Sequence, residues 1–256
     1  MTGHRKSAAG RTGSALPIGP DRAVEVRRRI GGLHVLTDAR QGRDALGVVS
    51  AAVAAGARIV QVRVKFCPDL ALYDFAARVA EVCARRGATC IVDDRVDIAL
   101  AVGAAGTHLG AGDLPVAAAR SIAGPNHLLG GTARTAATAA ELVQAGADYL
   151  GVGPAFSTVT KTGLPAPLGV DGIAAVAAAV AVPVIAIGGI TPDRIPALLA
   201  AGASGVAVVS AVSDAPDPGT VTRALLAALV AAPQGRPRRP EPGPPPAARV
   251  PRSAPR

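Results

Sequence analysis

Eight short runs of aliphatic and β-branched residues, each followed by a longer Ala/Leu-rich stretch with helical spacing, fill the centre of this 256-residue chain. The runs are His34–Thr37, Ile59–Val64, Thr89–Val92, Gly106–Leu109, Leu128–Thr132, Tyr149–Val152, Val184–Ile187 and Gly205–Val209. Helical patterns follow at Asp44–Ala55, Leu70–Arg86, Leu114–Ile122, Thr135–Ala145, Gly172–Val180, Ile195–Ala201 and Gly219–Ala231. Several end on the glycine that helix C-termini favour, as at Gly56, Gly87, Gly146 and Gly202. Strands this apolar on both sides belong in a parallel sheet covered by helices. Eight strand-then-helix units in about two hundred residues suit a closed (β/α)8 TIM barrel. An open doubly wound sheet is the competitor, and the lack of G-x-G-x-x-G after the first run counts against it. An amphipathic turn at Asp21–Ile30 is read as a cap before the first strand.

Charge divides the chain into three parts. The net charge of +9 comes from the ends: residues 1–30 hold seven Lys/Arg against two acids, and 233–256 hold six Arg against one. Between them, fourteen basic and fifteen acidic residues nearly cancel, so anion selectivity there must be local. The expected organisation is an N-terminal extension (1–28), largely disordered apart from the capping helix, a single barrel domain (29–232), and a disordered Pro/Arg-rich tail (233–256). That tail has nine prolines and almost nothing to bury. With no Trp and only three Phe and two Tyr, platforms for stacking bases are scarce, and no nucleic-acid partner is expected. The uncharged stretch from Gly172 to Pro183 and beyond is split by that proline and ended by Gly188-Gly189, so it reads as a buried helix and strand and not as a membrane span. The start of the chain lacks the apolar core of a secretory signal. Three unpaired cysteines (Cys67, Cys83, Cys90) fit a reducing cytoplasm and argue against a Cys-based metal site.

Only two of the fourteen central basic residues are lysines, Lys65 and Lys161. Lysine is a compact point charge where arginine is a planar fork, so each suggests an ammonium needed at one atom. Both end polar runs beyond apolar strands, Gln61-Val62-Arg63-Val64-Lys65 and Thr158-Val159-Thr160-Lys161. The strand period of two puts Gln61, Arg63 and Lys65 on one face. Pointing them into the barrel requires a bound di- or triphosphate or nearby carboxylates; an internal salt-bridge cluster with Asp38 or Asp94 is the alternative. Asp93-Asp94 end the third strand and Asp113 follows the fourth, a placement that suits Mg²⁺ shared with phosphate oxygens. Asp113 alone also fits a helix cap before Leu114-Pro115. His108 points to the site or into the core, and the core reading is favoured. The long connection from Gly153 to Gly169 suits a phosphate-gripping lid. Gly188-Gly189 and Val209-Ser210 end the last two strands, where main-chain N–H groups of such barrels often bind phosphate. Two separated phosphate sites fit a two-substrate enzyme of phosphorylated metabolites.

Taken in order, Gln61-x-Arg63-x-Lys65, Asp93-Asp94-Arg95-x-Asp97, His108-Leu109-Gly110-x-x-Asp113, Asp148-Tyr149-x-Gly151-x-Gly153-Pro154-x-Phe156-x-Thr158-x-Thr160-Lys161, Gly188-Gly189-Ile190 and Val209-Ser210 resemble the thiamine phosphate synthase family over about residues 33–212. The resemblance implies a (β/α)8 barrel that joins hydroxymethylpyrimidine diphosphate to thiazole phosphate, or its carboxylated form, and releases diphosphate. It implies that Gln61, Val62, Arg63, Val64, Lys65, Asp93, Thr132 and Lys161 hold the pyrimidine diphosphate, with Arg63, Lys65 and Lys161 in catalytic roles. It implies that Asp94 and Asp113 ligate Mg²⁺, and that Thr158, Val159, Thr160, Gly189, Val209 and Ser210 contact the thiazole phosphate. Three positions depart from the family's habit: Asp93 replaces Asn, Thr132 replaces Ser and Ala111 replaces Gln. The first sets a negative charge near diphosphate unless a metal or a proton neutralises it. A thiazole tautomerase of the same fold relies on a histidine where this chain has Arg134, and a non-catalytic binder of thiamin precursors is the remaining alternative.

Overall fold

Strand follows strand around a closed ring in chain order: β1 (Gly32–Leu36), β2 (Ile59–Val62), β3 (Thr89–Asp93), β4 (Gly106–Leu109), β5 (Leu128–Ala133), β6 (Tyr149–Val152), β7 (Val184–Ile187) and β8 (Gly205–Val208). Every pairing is parallel, and β8 closes on β1 with Val206 opposite Leu33 and Val208 opposite Val35. This computed structural model describes residues 21–38, 44–158 and 165–232. Outside the ring lie α2 (Ala45–Ala54), α3 (Asp69–Arg85), α4 (Val96–Ala101), α5 (Val116–Ala123), α6 (Ala136–Gln144), α7 (Gly169–Ala179), α8 (Ile195–Ala200), the short α9 (Ser210–Ser213) and α10 (Pro218–Ala231). The architecture is the (β/α)8 barrel that the alternation implies. Both terminal tails fall outside the described residues, except for α1 (Asp21–Ile30).

Alternate residues of each strand serve different cores. Leu36, Ile59, Ile91, Leu128, Tyr149, Ile185 and Ala207 fill the barrel interior, where Val26 and Ile30 of α1 join them. Their neighbours, such as Val60, Val62 and Val92, pack outward beneath α2 and α3. Each fully buried aliphatic side chain contributes about 1.5–3 kcal/mol, so α1 is held mainly by Val26 and Ile30. Asp148 adds a polar latch, accepting bonds from Arg22 at 2.7 Å, Arg120 at 2.6 Å and the Leu129 N–H at 2.9 Å. Helix starts are capped where short oxygen-bearing side chains stand: Asp44, Thr135 and Asp217 accept the N–H of Gly47, Thr138 and Thr220.

Most element ends lie within a residue or two of the expected ones, and two of the shifts have a visible cause. The second strand stops at Val62, not Val64, because main-chain pairing gives way to a side chain: the Thr37 hydroxyl accepts the Arg63 N–H at 2.9 Å and donates to the Arg63 carbonyl at 3.1 Å. Helix α7 begins at Gly169 instead of Gly172, where the Leu168 and Gly169 N–H groups bond the carbonyls of Pro154 and Ala155.

Candidate functional site

At the C-terminal mouth of the barrel a cavity of about 690 Å³ collects residues from all eight strands and the loops beyond them. Gln61, Arg63 and Lys65 all line it, while Val62 and Val64 pack outward against the α2–α3 layer. The strand period therefore splits the expected five-residue stretch: the Val62 and Val64 side chains belong to the outer cluster and not to the cavity lining.

The Lys65 ammonium pairs with the Asp94 carboxylate, and the Gln61 amide donates to Asp93. Asp94 takes a left-handed backbone (φ 65°), which Asp tolerates better than most residues, with its N–H bonded to the His108 carbonyl at 2.8 Å. Asp113 accepts the Gly110 N–H at 2.7 Å. It does not cap the following helix, since α5 starts at Val116 behind Pro115 with no side-chain cap. Asp94 and Asp113 lie within hydrogen-bonding reach of each other. Burial and the neighbouring carboxylate raise the Asp94 pKa. Burial also opposes ionisation of Asp113, but its bonds to Asp94 and the Gly110 N–H, with Lys65 nearby, outweigh that and lower its pKa. Two facing carboxylates need a proton or a cation between them, and two carboxylates with room for water and phosphate oxygens form a donor set that fits Mg²⁺. Among the described residues no cluster of three or more His, Cys, Asp or Glu forms a metal cage.

Asp93 is buried beneath this pair, and its carboxyl is pushed up to about 8. Burial is the main cause and the Asp94 charge adds to it, against the opposing pull of Gln61, Arg63 and Lys65. At neutral pH the free site therefore holds a neutral acid where the family's habit is a neutral amide. Burial thus favours the proton as the means of neutralising the charge that this departure introduces.

Farther round the ring, the Thr132 hydroxyl is 2.9 Å from His108 Nε2, and His108 Nδ1 is 3.2 Å from the Tyr149 hydroxyl. Burial depresses His108 to about 4, so the ring is neutral. His108 is thus both a satisfied interior histidine and a residue lining the cavity. Its ring fits because β5 carries glycine at position 130, where a Cβ would lie 2.4 Å from Nδ1 and 2.3 Å from the Tyr149 ring. His34 also lines the cavity and bonds the Ile30 carbonyl at 2.7 Å, whereas His127 pairs with Thr107 elsewhere.

Across the mouth, Thr158, Gly189, Val209 and Ser210 line the cavity; Val159, Thr160 and Lys161 lie outside the described residues. Gly189 has φ 64°, and a Cβ there would meet the Ser157 carbonyl at 2.5 Å, so only glycine lets this strand end approach the β6 loop. Among the lining residues, Arg194 escaped the sequence reading altogether, and Tyr149 was quoted there only within a strand and a motif, with no site role. Arg194 stands on a 3₁₀ turn five residues beyond Gly189, and no spacing rule links it to the site.

Residues 33–212 match the thiamine monophosphate synthase family. The chain belongs to that family. It is 57% identical over 203 residues to the thiamine-phosphate synthase of Salinispora tropica, covering 78% of this chain and 98% of that one. The thiamine-phosphate synthase of Salinispora arenicola is 56% identical over the same length and coverage. The thiamine phosphate pyrophosphorylase of Pyrococcus furiosus superposes with a TM-score of 0.73 at 35% identity, covering 79% of this chain and 97% of that structure. The chain is accordingly an enzyme, a transferase of thiamine biosynthesis. No helix among its described residues is long and apolar enough to cross a membrane.

Proposed function

We propose that this enzyme condenses hydroxymethylpyrimidine diphosphate with thiazole phosphate, or its carboxylated form, to give thiamine phosphate and diphosphate. The observation that supports the reading best is the meeting of Lys65, Asp94 and Asp113 at one wall of the cavity, with Arg63 and Gln61 beside them. These residues come from three separate strand ends and face a second wall built of Gly189, Val209 and Ser210.

In the proposed reaction the bond between the pyrimidine methylene carbon and the diphosphate oxygen breaks, and its electron pair leaves with diphosphate. The ring-stabilised cation is then captured by the thiazole nitrogen. Arg63 and Lys65 hold and neutralise the departing group, and Lys161 joins them by family resemblance. Asp94 and Asp113 are the residues that would hold Mg²⁺, which when bound supplies further positive charge to the diphosphate oxygens. Gln61, the protonated Asp93 and Thr132 orient the pyrimidine, with His108 fixing the Thr132 hydroxyl. Thr158, Val159, Thr160, Gly189, Val209 and Ser210 are assigned to the thiazole phosphate. Catalysis of this kind rests on positioning and on charge placed at the leaving group, and it needs no general base.

The tautomerase alternative finds no support at its key position. Arg134 donates to the Gly153 and Ala166 carbonyls, each at 2.8 Å, and so acts as a brace on the β6–α7 connection. The deciding experiment mixes both precursors with Mg²⁺ and follows thiamine phosphate. Product above the enzyme-free background is expected, with loss on chelation; no product at saturating precursors overturns the reading.

A further inference from the structure

The cations that line the cavity are unevenly placed. Among the described lining residues they are Arg63, Lys65 and Arg194. The first two follow β2 and are accompanied by Asp93, Asp94 and Asp113. Arg194 stands alone beyond β7, three strands away around the ring from β2 and four from β3.

Its guanidinium is set in place before any ligand arrives. Nη1 donates to the Gly189 carbonyl at 2.6 Å, and the guanidinium carbon lies 4.5 Å from the centre of the Phe156 ring. Phe156 is itself tied down, its N–H bonded to the Gly188 carbonyl at 3.0 Å. Nε and Nη2 have no hydrogen-bonding partner among the described residues. A stacked, anchored arginine loses little freedom on binding, and its remaining donors match two oxygens of one oxyanion. Asp214 lines the same region and accepts from Ser213 at 3.3 Å.

We infer that Arg194 is a binding and specificity residue for the phosphate group of the second substrate, supplying the one side-chain cation on the β7 side of the described cavity wall. The inference rests on the proposed function for the substrate's identity, but its direct test does not require turnover.

Three variants of the full chain separate charge from scaffolding. Arg194→Gln keeps a donor for the Gly189 carbonyl and removes the charge, Arg194→Lys keeps the charge and removes the fork, and Arg194→Ala removes both. Equilibrium binding of thiazole phosphate is compared with that of its dephosphorylated alcohol. Losing one charge-assisted contact should weaken phosphate-ester binding about ten-fold or more in Arg194→Gln and Arg194→Ala. Arg194→Lys should recover part of the loss, and alcohol binding should not change. In the coupled assay, KM for thiazole phosphate should rise while KM for the pyrimidine diphosphate stays within about two-fold. Unchanged binding in Arg194→Gln overturns the inference and leaves Arg194 as a brace for Gly189. Equal losses for ester and alcohol, loss confined to a carboxylated thiazole, or no binding by the unmodified chain would also overturn it. A chain that makes no thiamine phosphate yet binds the ester through Arg194 refutes the proposed function and leaves this inference standing.

Discussion

Lys65 shows how much one side chain can be asked to do. It pairs with Asp94 in the free site and, in the proposed reaction, faces the departing diphosphate. Lys65→Ala and Lys161→Ala should each lower kcat by roughly ten- to a thousand-fold, the scale of losing one transition-state charge contact. Steady-state rates at saturating Mg²⁺ check this, and an unchanged kcat in either variant removes that lysine from the mechanism. Gly130 makes the opposite demand, for empty space. Gly130→Ala would set a methyl 2.3 Å from Tyr149 and 2.4 Å from His108, and overpacking of this kind costs about 1–3 kcal/mol. Urea unfolding should register that loss, and the rise in KM for the pyrimidine diphosphate should exceed that for the thiazole phosphate as Thr132 is displaced. The inward face of Gln61, Arg63 and Lys65 was readable from the strand period. The His108–Thr132–Tyr149 contacts were not, because His108, Thr132 and Tyr149 come from three strands and no spacing rule joins them.

At the scale of elements, α1 behaves as a plug. Ile30 and Val26 enter the barrel interior from below, and Arg22 reaches Asp148 across the rim. Ile30→Ala should destabilise the fold by about 2–5 kcal/mol, as truncation of a buried isoleucine does. That predicts a Tm lower by roughly 4–20 °C in a chain of this size, measured by thermal unfolding, while the cavity at the far mouth keeps its affinity for pyrimidine diphosphate. A Tm within a degree or two of the parent would make α1 a dispensable appendage. The amphipathic pattern of Asp21–Ile30 revealed the helix and the capping role. Element ends were less legible: β2 stops two residues early because the hydroxyl of Thr37, just beyond the end of β1, replaces the main-chain partner of Arg63.

The molecule as a whole should show a stability maximum near pH 6.5 when free of metal and substrate. Burial holds His34, His108 and His127 neutral in the fold, each with a pKa depressed to about 4. As pH falls from 6.5 towards 4 the unfolded chain takes up protons that these folded rings refuse, so stability drops. Asp93 acts in the other direction. Its carboxyl keeps a proton up to about 8 in the fold, whereas the unfolded chain has released it, so stability falls as pH rises over that range. Below 6.5 the three histidines outweigh the single carboxyl; between 6.5 and 8 they have dropped out and Asp93 contributes a decline of at most about 1.4 kcal/mol per pH unit. Urea unfolding in the presence of a chelator should trace this maximum, and Asp93→Asn should flatten the alkaline side; a variant that keeps the alkaline decline would show that Asp93 is not its source. By itself the sequence determined the eightfold alternation, the apolar strands and the polar strand ends, since these depend on local period and on which side chains can be buried. Only the tertiary structure decided that Asp94 and Asp113 face each other, that Asp93 is buried where its carboxyl holds its proton more tightly, and that Arg194 reaches the cavity. Each of those depends on distances across the closed ring and on the dielectric they create, quantities that no local pattern along the chain encodes.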